Sequence, residues 1–396
     1  MERGGRATPR LLVAGGAALA VAMGIGRFAY TPILPAMEAA AHLDTNQAGL
    51  LASANYAGYL AGALASATIT PRAARGRVLV GSLLALVVTT ALMAATTSLA
   101  AWGVIRFLSG LSSAGVFVLA SGIVLDALRQ EGRASLSGWL YSGVGVGIAL
   151  SGVVVRVAGG VLGWRGDWLV LAVLAAGALG PAWRWLPRDD RTSGTTARTQ
   201  PILKHGARVA LALLFLAYFL EGLGYIVTGT FLVAIVDQMR GLGEFGPSVW
   251  IVVGLAAAPS GIVWAGLAAR IGYARALALA YAVQACGIGL PLFGGAGAAL
   301  VSAVLFGGTF IGISTLTLTL AGHITPRRST GIIGLLTAAF GLGQIAGPIL
   351  AAVLVGHTRD FGPALAAAAA IVLVGGLLMA AVQPFDPSRA GRGDGG

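Results

Sequence analysis

The sequence predicts an all-α membrane protein with about twelve spans. Three observations carry that reading. Of the 396 residues, 57% are hydrophobic and only 10% are charged, whereas a soluble domain carries about 25% charged residues. The apolar residues fall into repeated runs long enough to cross a bilayer, which takes about 20 residues each. The basic residues gather in alternate connections between those runs. Sixty-one glycines add to the picture, because small residues let membrane helices approach where lipid and side chain are equally apolar.

The predicted spans are 11–37, 47–70, 78–97, 100–125, 135–161, 167–186, 208–236, 248–269, 274–294, 297–322, 329–355 and 363–383. The first run is too long for a signal peptide and is read as a retained span. Spans 3 and 4 are separated only by Thr97-Ser98, and spans 9 and 10 only by Gly294-Gly295. The polar stretch 187–207 divides the chain into 1–186 and 208–396 and has the composition of a flexible linker.

Orientation follows from Lys and Arg counted by connection. One side holds 20 of the 26 basic residues, among them Arg3, Arg6, Arg10, Arg72, Arg75, Arg77, Arg327 and Arg328. The other side holds Arg165, Arg240 and Arg359, and Arg27, Arg106 and Arg156 fall inside spans. One miscounted span would invert every later connection, so both termini are expected in the cytoplasm. The net charge of +12 is thus spread over short loops and forms no nucleic-acid patch. A single cysteine, Cys286, excludes an internal disulfide, and His42, His205, His323 and His357 do not cluster. No metal or other cofactor is expected.

The two parts of the chain resemble each other at an offset near 198. Gly24-Ile-Gly26 matches Gly222-Leu-Gly224, and Leu34 meets Leu232. Arg106-Phe-Leu-Ser-Gly110 matches Ala303-Val-Leu-Phe-Gly307 at 197, and Gly145-Val-Gly147 matches Gly341-Leu-Gly343 at 196. Parallel six-span repeats place a solute path between the halves near the bilayer midplane.

Ionisable groups at span centres cost about 2.5–3.5 kcal/mol each on insertion scales and are read as functional. Arg27 lies past the middle of span 1 and Glu221 near the middle of span 7, the latter read as the single carboxylate deep in a span. At the repeat offset Arg27 matches Tyr225 and Glu221 matches Met23, so the two charges sit one helical turn apart, roughly 6 Å in rise. They are expected either to meet as a pair or to hold substrate between them. A carboxyl in apolar surroundings keeps its proton, and one beside a guanidinium releases it. Glu221 is therefore a candidate proton-coupling group, with a static ion pair locking two helices as the alternative. Arg27 is a candidate contact for a substrate anion, with helix locking as its alternative. Arg106 either belongs to the same site, snorkels to the interface, or bonds to span 1 carbonyls. Arg156 is read as snorkelling. Tyr30, Asn55 and Tyr225 are lesser partners for the central site, and Tyr59, Tyr141, Tyr218, Gln284 and Gln344 are polar groups of the same kind. Trp139 and Trp164 are assigned to the interfacial belts. Pro32 and Pro35 are expected to break span 1 near its outer end, or simply to end it.

These motifs resemble the major facilitator superfamily. Arg106-xxx-Gly110 looks like that family's span 4 Arg-xxx-Gly motif. Gly343-xxx-Gly347-Pro348 looks like its antiporter motif, displaced to span 11, while span 5 has Gly147-xxx-Ser151 without proline. The loop Pro71–Arg77 keeps the gating loop's basic residues but lacks its Asp, and Ala269 stands where the second Asp would fall. Within the superfamily, GIGRFAYTPILPAM (Gly24–Met37) and LEGLGYIVTGTFL (Leu220–Leu232) resemble the YbfB/YjiJ family. The resemblance implies a twelve-helix inner-membrane transporter. With Glu221 as the candidate coupling group, the protein is expected to act as a monomer on a small organic solute by alternating access, coupled to protons. A multidrug or metabolite exporter of the same fold is the alternative, and a non-transporting membrane sensor comes after it. A membrane-embedded enzyme would need a clustered nucleophile, base or metal set, which these residues do not supply.

Overall fold

The computed structural model describes residues 7–68, 72–133, 136–186, 205–239, 241–242, 245–325, 329–356 and 360–386. The expected linker falls mainly on 187–204, outside the described residues; its last three positions, from His205, are instead the first turn of a helix. Helix α1 covers Ala7–Leu19 and runs through a π-helical stretch, Ala20–Phe28, into α2, Tyr30–Ala41. Then follow α3 (Thr45–Ala67), α4 (Arg72–Leu92), α5 (Leu99–Gln130) and α6 (Ser137–Trp185). After the linker come α7 (His205–Asp237), α8 (Gly246–Ile271), α9 (Tyr273–Gly289), α10 (Gly295–Ile324), α11 (Ser329–Val355) and α12 (Gly362–Val382).

Local chemistry sets the boundaries. Helix α2 ends at His42, whose left-handed conformation (φ 53°) lets its amide reach the Glu38 carbonyl. Asp44 and Gln47 then form a reciprocal capping box that starts α3: Gln47 N donates to Asp44 Oδ1 at 2.7 Å, and Asp44 N donates to Gln47 Oε1 at 3.2 Å. Gly294 and Gly295, at φ 70° and 85°, make the sharp turn into α10. Proline occupies the first turn of α8 and of α12, where its missing N–H has no partner to lose.

Ten helices among the described residues are long and apolar enough to cross a membrane. Large apolar side chains such as Val157, Val161, Val173, Val353 and Leu377 point outward. An exposed apolar coat of that extent needs lipid rather than water. Helix α3 is less apolar than the ten, because Asn55, Tyr56 and Tyr59 interrupt it. At 49 residues α6 would reach about 70 Å as one straight helix, more than twice a bilayer core. Gly163, at φ 64° and ψ −179°, interrupts it with non-helical backbone.

Helices α1–α6 pack among themselves, as do α7–α12, and the two groups meet along α3–α11, α6–α8 and α2–α7. Close backbone approach explains much of the glycine content. A methyl group at Gly24 would lie 2.3 Å from the Gly147 Cα, and one at Gly110 would lie 1.9 Å from the Asn55 carbonyl oxygen.

Two expectations are corrected here. Pro32 and Pro35 do not break span 1, since α2 runs through both to Ala41. The irregular stretch lies earlier, in the π-helical turns holding Gly24 and Gly26. Trp164 is not an interfacial anchor: it is buried and meets Trp102 edge-on at 5.6 Å. Trp139 is exposed.

Candidate functional site

The π-helical stretch of span 1 organises the region where the two helix groups meet. Its widened turns present carbonyl oxygens to side chains from neighbouring helices. The Gly26 carbonyl accepts from Ser109 Oγ at 2.9 Å, Asn55 Nδ2 at 3.3 Å and Arg106 Nη1 at 3.4 Å. Arg106 Nη2 donates to the Arg27 carbonyl at 3.4 Å, Asn55 Nδ2 also donates to the Arg106 carbonyl at 2.9 Å, and Ser113 Oγ donates to the Ala22 carbonyl. Arg106 further lies 4.6 Å above the Tyr30 ring, whose hydroxyl donates to the Ala48 carbonyl at 3.1 Å. Arg106, Asn55 and Tyr30 therefore tie spans 1, 2 and 4 together. Of the readings open for Arg106, the geometry is the one in which it bonds to span 1 carbonyls.

Arg27 leaves the end of the same stretch and is 2% exposed. Its guanidinium lies 4.4 Å from the Tyr59 ring centre, 4.7 Å from Tyr56 and 5.3 Å from Phe28. Such contacts between a cation and an aromatic face are worth up to about 2 kcal/mol when desolvated. Nε and Nη2 have no hydrogen-bond partner. Tyr56, which the sequence reading missed, also joins the two helix groups: its hydroxyl lies 3.2 Å from Thr230 Oγ1 on α7. Phe28 crosses the same boundary to Trp250 (6.4 Å) and Phe310 (6.0 Å).

On the other side, Tyr225 lies nearly parallel to Phe340, Phe306 and Phe310, at centroid distances of 5.4, 6.2 and 6.0 Å. Tyr218 stacks on Phe340 at 4.4 Å. Gln344 Nε2 donates to the Tyr225 hydroxyl, while its Oε1 has no partner.

Glu221 is 1% exposed, and neither carboxyl oxygen has a partner. Gln284 of α9 faces the carboxyl without an aligned hydrogen bond, and both polar atoms of its amide are likewise unpaired. The carboxyl thus turns into the α7–α12 group. Arg27 turns toward the α3 tyrosines, and the two charges form no ion pair in this conformation. The expected meeting of the two charges as a pair is thus not found: Arg27 lies against Tyr56 and Tyr59, and Glu221 faces Gln284.

A second carboxylate is buried as well. Asp167 is 1% exposed with both oxygens unpaired. It sits in a niche beside Gly159, where a methyl group would come within 3.2 Å of Oδ2. The sequence puts Asp167 at the start of span 6, and hydropathy does not show that its side chain is buried against the protein. A cavity of about 460 Å3, lined among others by Pro35, Glu38, His42, Asp44, Asp237 and Phe361, lies at the end of the bundle where α2 gives way to α3. It is lined by neither Arg27 nor Glu221. No group of three or more metal-ligating side chains occurs among the described residues.

Long lipid-facing helices in two packed groups, with buried ionisable side chains in the helices that flank their boundary, are the architecture of a multi-pass membrane transporter of the major facilitator type. The chain belongs to the family described as uncharacterised MFS-type transporter YbfB, whose sequence profile matches residues 19–380. A chloramphenicol resistance protein of Streptomyces lividans is 28% identical over 364 residues, covering 86% of this chain and 88% of its own length. Crystal structures of the nucleoside transporter NupG share the fold. One has a TM-score of 0.74 at 13% identity, covering 96% of this chain and 99% of its own. A point mutant has a TM-score of 0.69, also at 13% identity, with coverages of 97% and 99%.

Proposed function

We propose that the protein is a secondary active transporter. It carries a small organic solute across the bacterial inner membrane by alternating access, with a proton moving through Glu221. The observation that carries this reading is the enclosure of two ionisable groups that form no ion pair, Arg27 and Glu221, in the helices that flank the boundary between the groups. Leaving such groups unpaired costs several kcal/mol each, which a purely structural role would not require.

The architecture behind the proposal has twelve spans. The α1–π–α2 helix is the first, α6 counts as two divided at Gly163, and each other helix counts as one. The spans form two six-helix bundles, 1–186 and 208–396, joined by 187–207. Repetition of the glycine contacts supports this: Gly24 packs on Gly147 in one bundle, as Gly222 and Gly343 approach in the other. Loop charges support cytoplasmic termini. The closed end is then periplasmic, held by Thr31 on Gly229, Ser53 on Ile345 and Gly49 against Pro348. Phe117, Tyr141 and Phe340, toward the opposite end, are partly exposed, as an inward-facing path requires. The protein works as a monomer, with the solute, protons and lipid as its partners.

A test begins with a thermal-shift screen of the purified protein against metabolites, since a ligand of the folded state raises its stability. A solute found there should be concentrated by proteoliposomes under an imposed pH gradient, and accumulation that ignores the gradient would remove proton coupling. A second reading, export of apolar drugs, draws on the aromatic lining and on the chloramphenicol resistance relative. Raised chloramphenicol tolerance in a sensitive host making this protein would favour that reading.

A further inference from the structure

The Arg27 guanidinium is surrounded by aromatic rings: Tyr59, Tyr56 and Phe28 have their centres 4.4, 4.7 and 5.3 Å away. Ring contacts of this kind leave the N–H donors of the guanidinium free for a ligand. The two unpartnered nitrogens, Nε and Nη2, are the adjacent pair on one edge. Their parallel N–H groups match the two oxygens of a single carboxylate, the fork geometry that makes arginine–carboxylate contacts bidentate. The other buried arginine of this region, Arg106, already donates to the Gly26 and Arg27 carbonyls and covers the Tyr30 ring. The site so formed presents one fork, and one fork suits one negative charge.

What lies beside that fork is aromatic. Phe28, the next residue, reaches Phe310 at 6.0 Å, and Phe310 lies nearly parallel to Tyr225 at 6.0 Å and to Phe306 at 5.7 Å. A ring entering between such groups finds faces and edges suited to it. A dianion or phosphate ester would bring a second charge with no second fork. A neutral solute would leave Nε and Nη2 buried and unpaired. A cation would be repelled by Arg27, and the carboxyl that might attract it, Glu221, faces Gln284 instead.

We propose that the Arg27 edge is the carboxylate subsite for an aromatic monocarboxylate, with the ring seated among Phe28, Phe310 and Tyr225. This rests on the reading of the protein as a transporter and names the chemical class of its solute. One carboxylate travelling with one proton makes the cycle electroneutral.

The experiment is calorimetric titration of the purified full chain with benzoate and 3-phenylpropionate, beside benzamide, 3-phenylpropionamide, phthalate and acetate. The aromatic monoacids should bind about tenfold or more tighter than their matched amides and than phthalate. Acetate should bind more weakly than either aromatic acid. Arg27→Lys keeps the charge but loses the fork, and should weaken the acids by about tenfold. The acid-to-amide comparison uses the unaltered protein, so the test does not depend on a variant folding. Equal binding of acids and amides, acids bound undiminished by folded Arg27→Lys, or no binding of either aromatic acid at millimolar concentration would each overturn the proposal. A protein that ignores the acids yet couples protons to a neutral or cationic solute loses the carboxylate subsite and keeps its transport role. A protein that moves no solute at all loses the transport role itself.

Discussion

Thr31 Oγ1 donates a hydrogen bond of 2.6 Å to the carbonyl oxygen of Gly229, and the two residues are 198 positions apart. That separation is the offset that relates Gly24 to Gly222 and Leu34 to Leu232. The contact thus joins positions related by the offset proposed for the repeat, in the helices that carry Arg27 and Glu221. It lies at the end of the bundle proposed to be closed.

Removing this bond should loosen that end. Thr31→Val keeps the shape and deletes the donor, at a cost of about 1 kcal/mol, which is about a fivefold shift in a conformational equilibrium. The measurement is labelling of Ala52→Cys, buried between Gly49 and Ser53 contacts, by a membrane-impermeant thiol reagent in a Cys286→Ser background. A rate about fivefold higher with Thr31→Val is expected, and an unchanged rate would mean that the bond does not hold this end closed.

Glycine substitutions should divide sharply by position. A methyl group at Gly110 would meet the backbone of α3 at 1.9 Å, so Gly110→Ala must push two helices apart. Overpacking of this kind costs about 1–3 kcal/mol. Gly177 has open space around it, and Gly177→Ala should be neutral or stabilising by up to about 1 kcal/mol. Thermal midpoints of the two purified variants, compared with the parent, check both signs.

Arg106 should prove to be a positioning residue. Lysine cannot reach the Gly26 and Arg27 carbonyls together while covering Tyr30. Arg106→Lys is expected to lower stability by about 2 kcal/mol and to slow transport without altering the order in which competing solutes inhibit it. A changed order of inhibition would make Arg106 a substrate contact.

The two buried carboxylates should behave oppositely. Asp167 is enclosed beside Gly159 without a partner, so its charge is a cost of folding. Asp167→Asn should leave stability equal or higher and should leave proton movement intact. Loss of proton movement in that variant would extend the proton path to Asp167.

Much of the fold can be read from the sequence, because lipid imposes a length on each apolar run and because Asp44, Gly294 and Gly295 punctuate the runs chemically. The interior is less legible. A helix surrounded by lipid and other apolar helices has no polar face, so hydropathy carries little information on which way a side chain points. That is why Arg27, Glu221, Tyr59 and Gln284 are recognisable as polar groups within spans while the pairing of Arg27 with Tyr56 and Tyr59, and of Glu221 with Gln284, is not. The π-helical turns of span 1 leave a weaker trace, in Gly24 and Gly26. Their stabilisation comes from Ser109, Ser113, Asn55 and Arg106 on other helices, distant in sequence. Trp164 and Asp167 both follow the exposed turn at Gly163, and both side chains are buried against the protein, which apolar length alone does not indicate.

Glu221 is proposed to carry the coupled proton, and this is measured by the response of a pH-sensitive dye in inside-out vesicles when the solute found by thermal shift is added. Unaltered protein should move protons with the solute. Glu221→Gln should insert, fold and bind the solute yet give no proton movement. Unchanged proton movement in Glu221→Gln would show that the proton does not pass through Glu221.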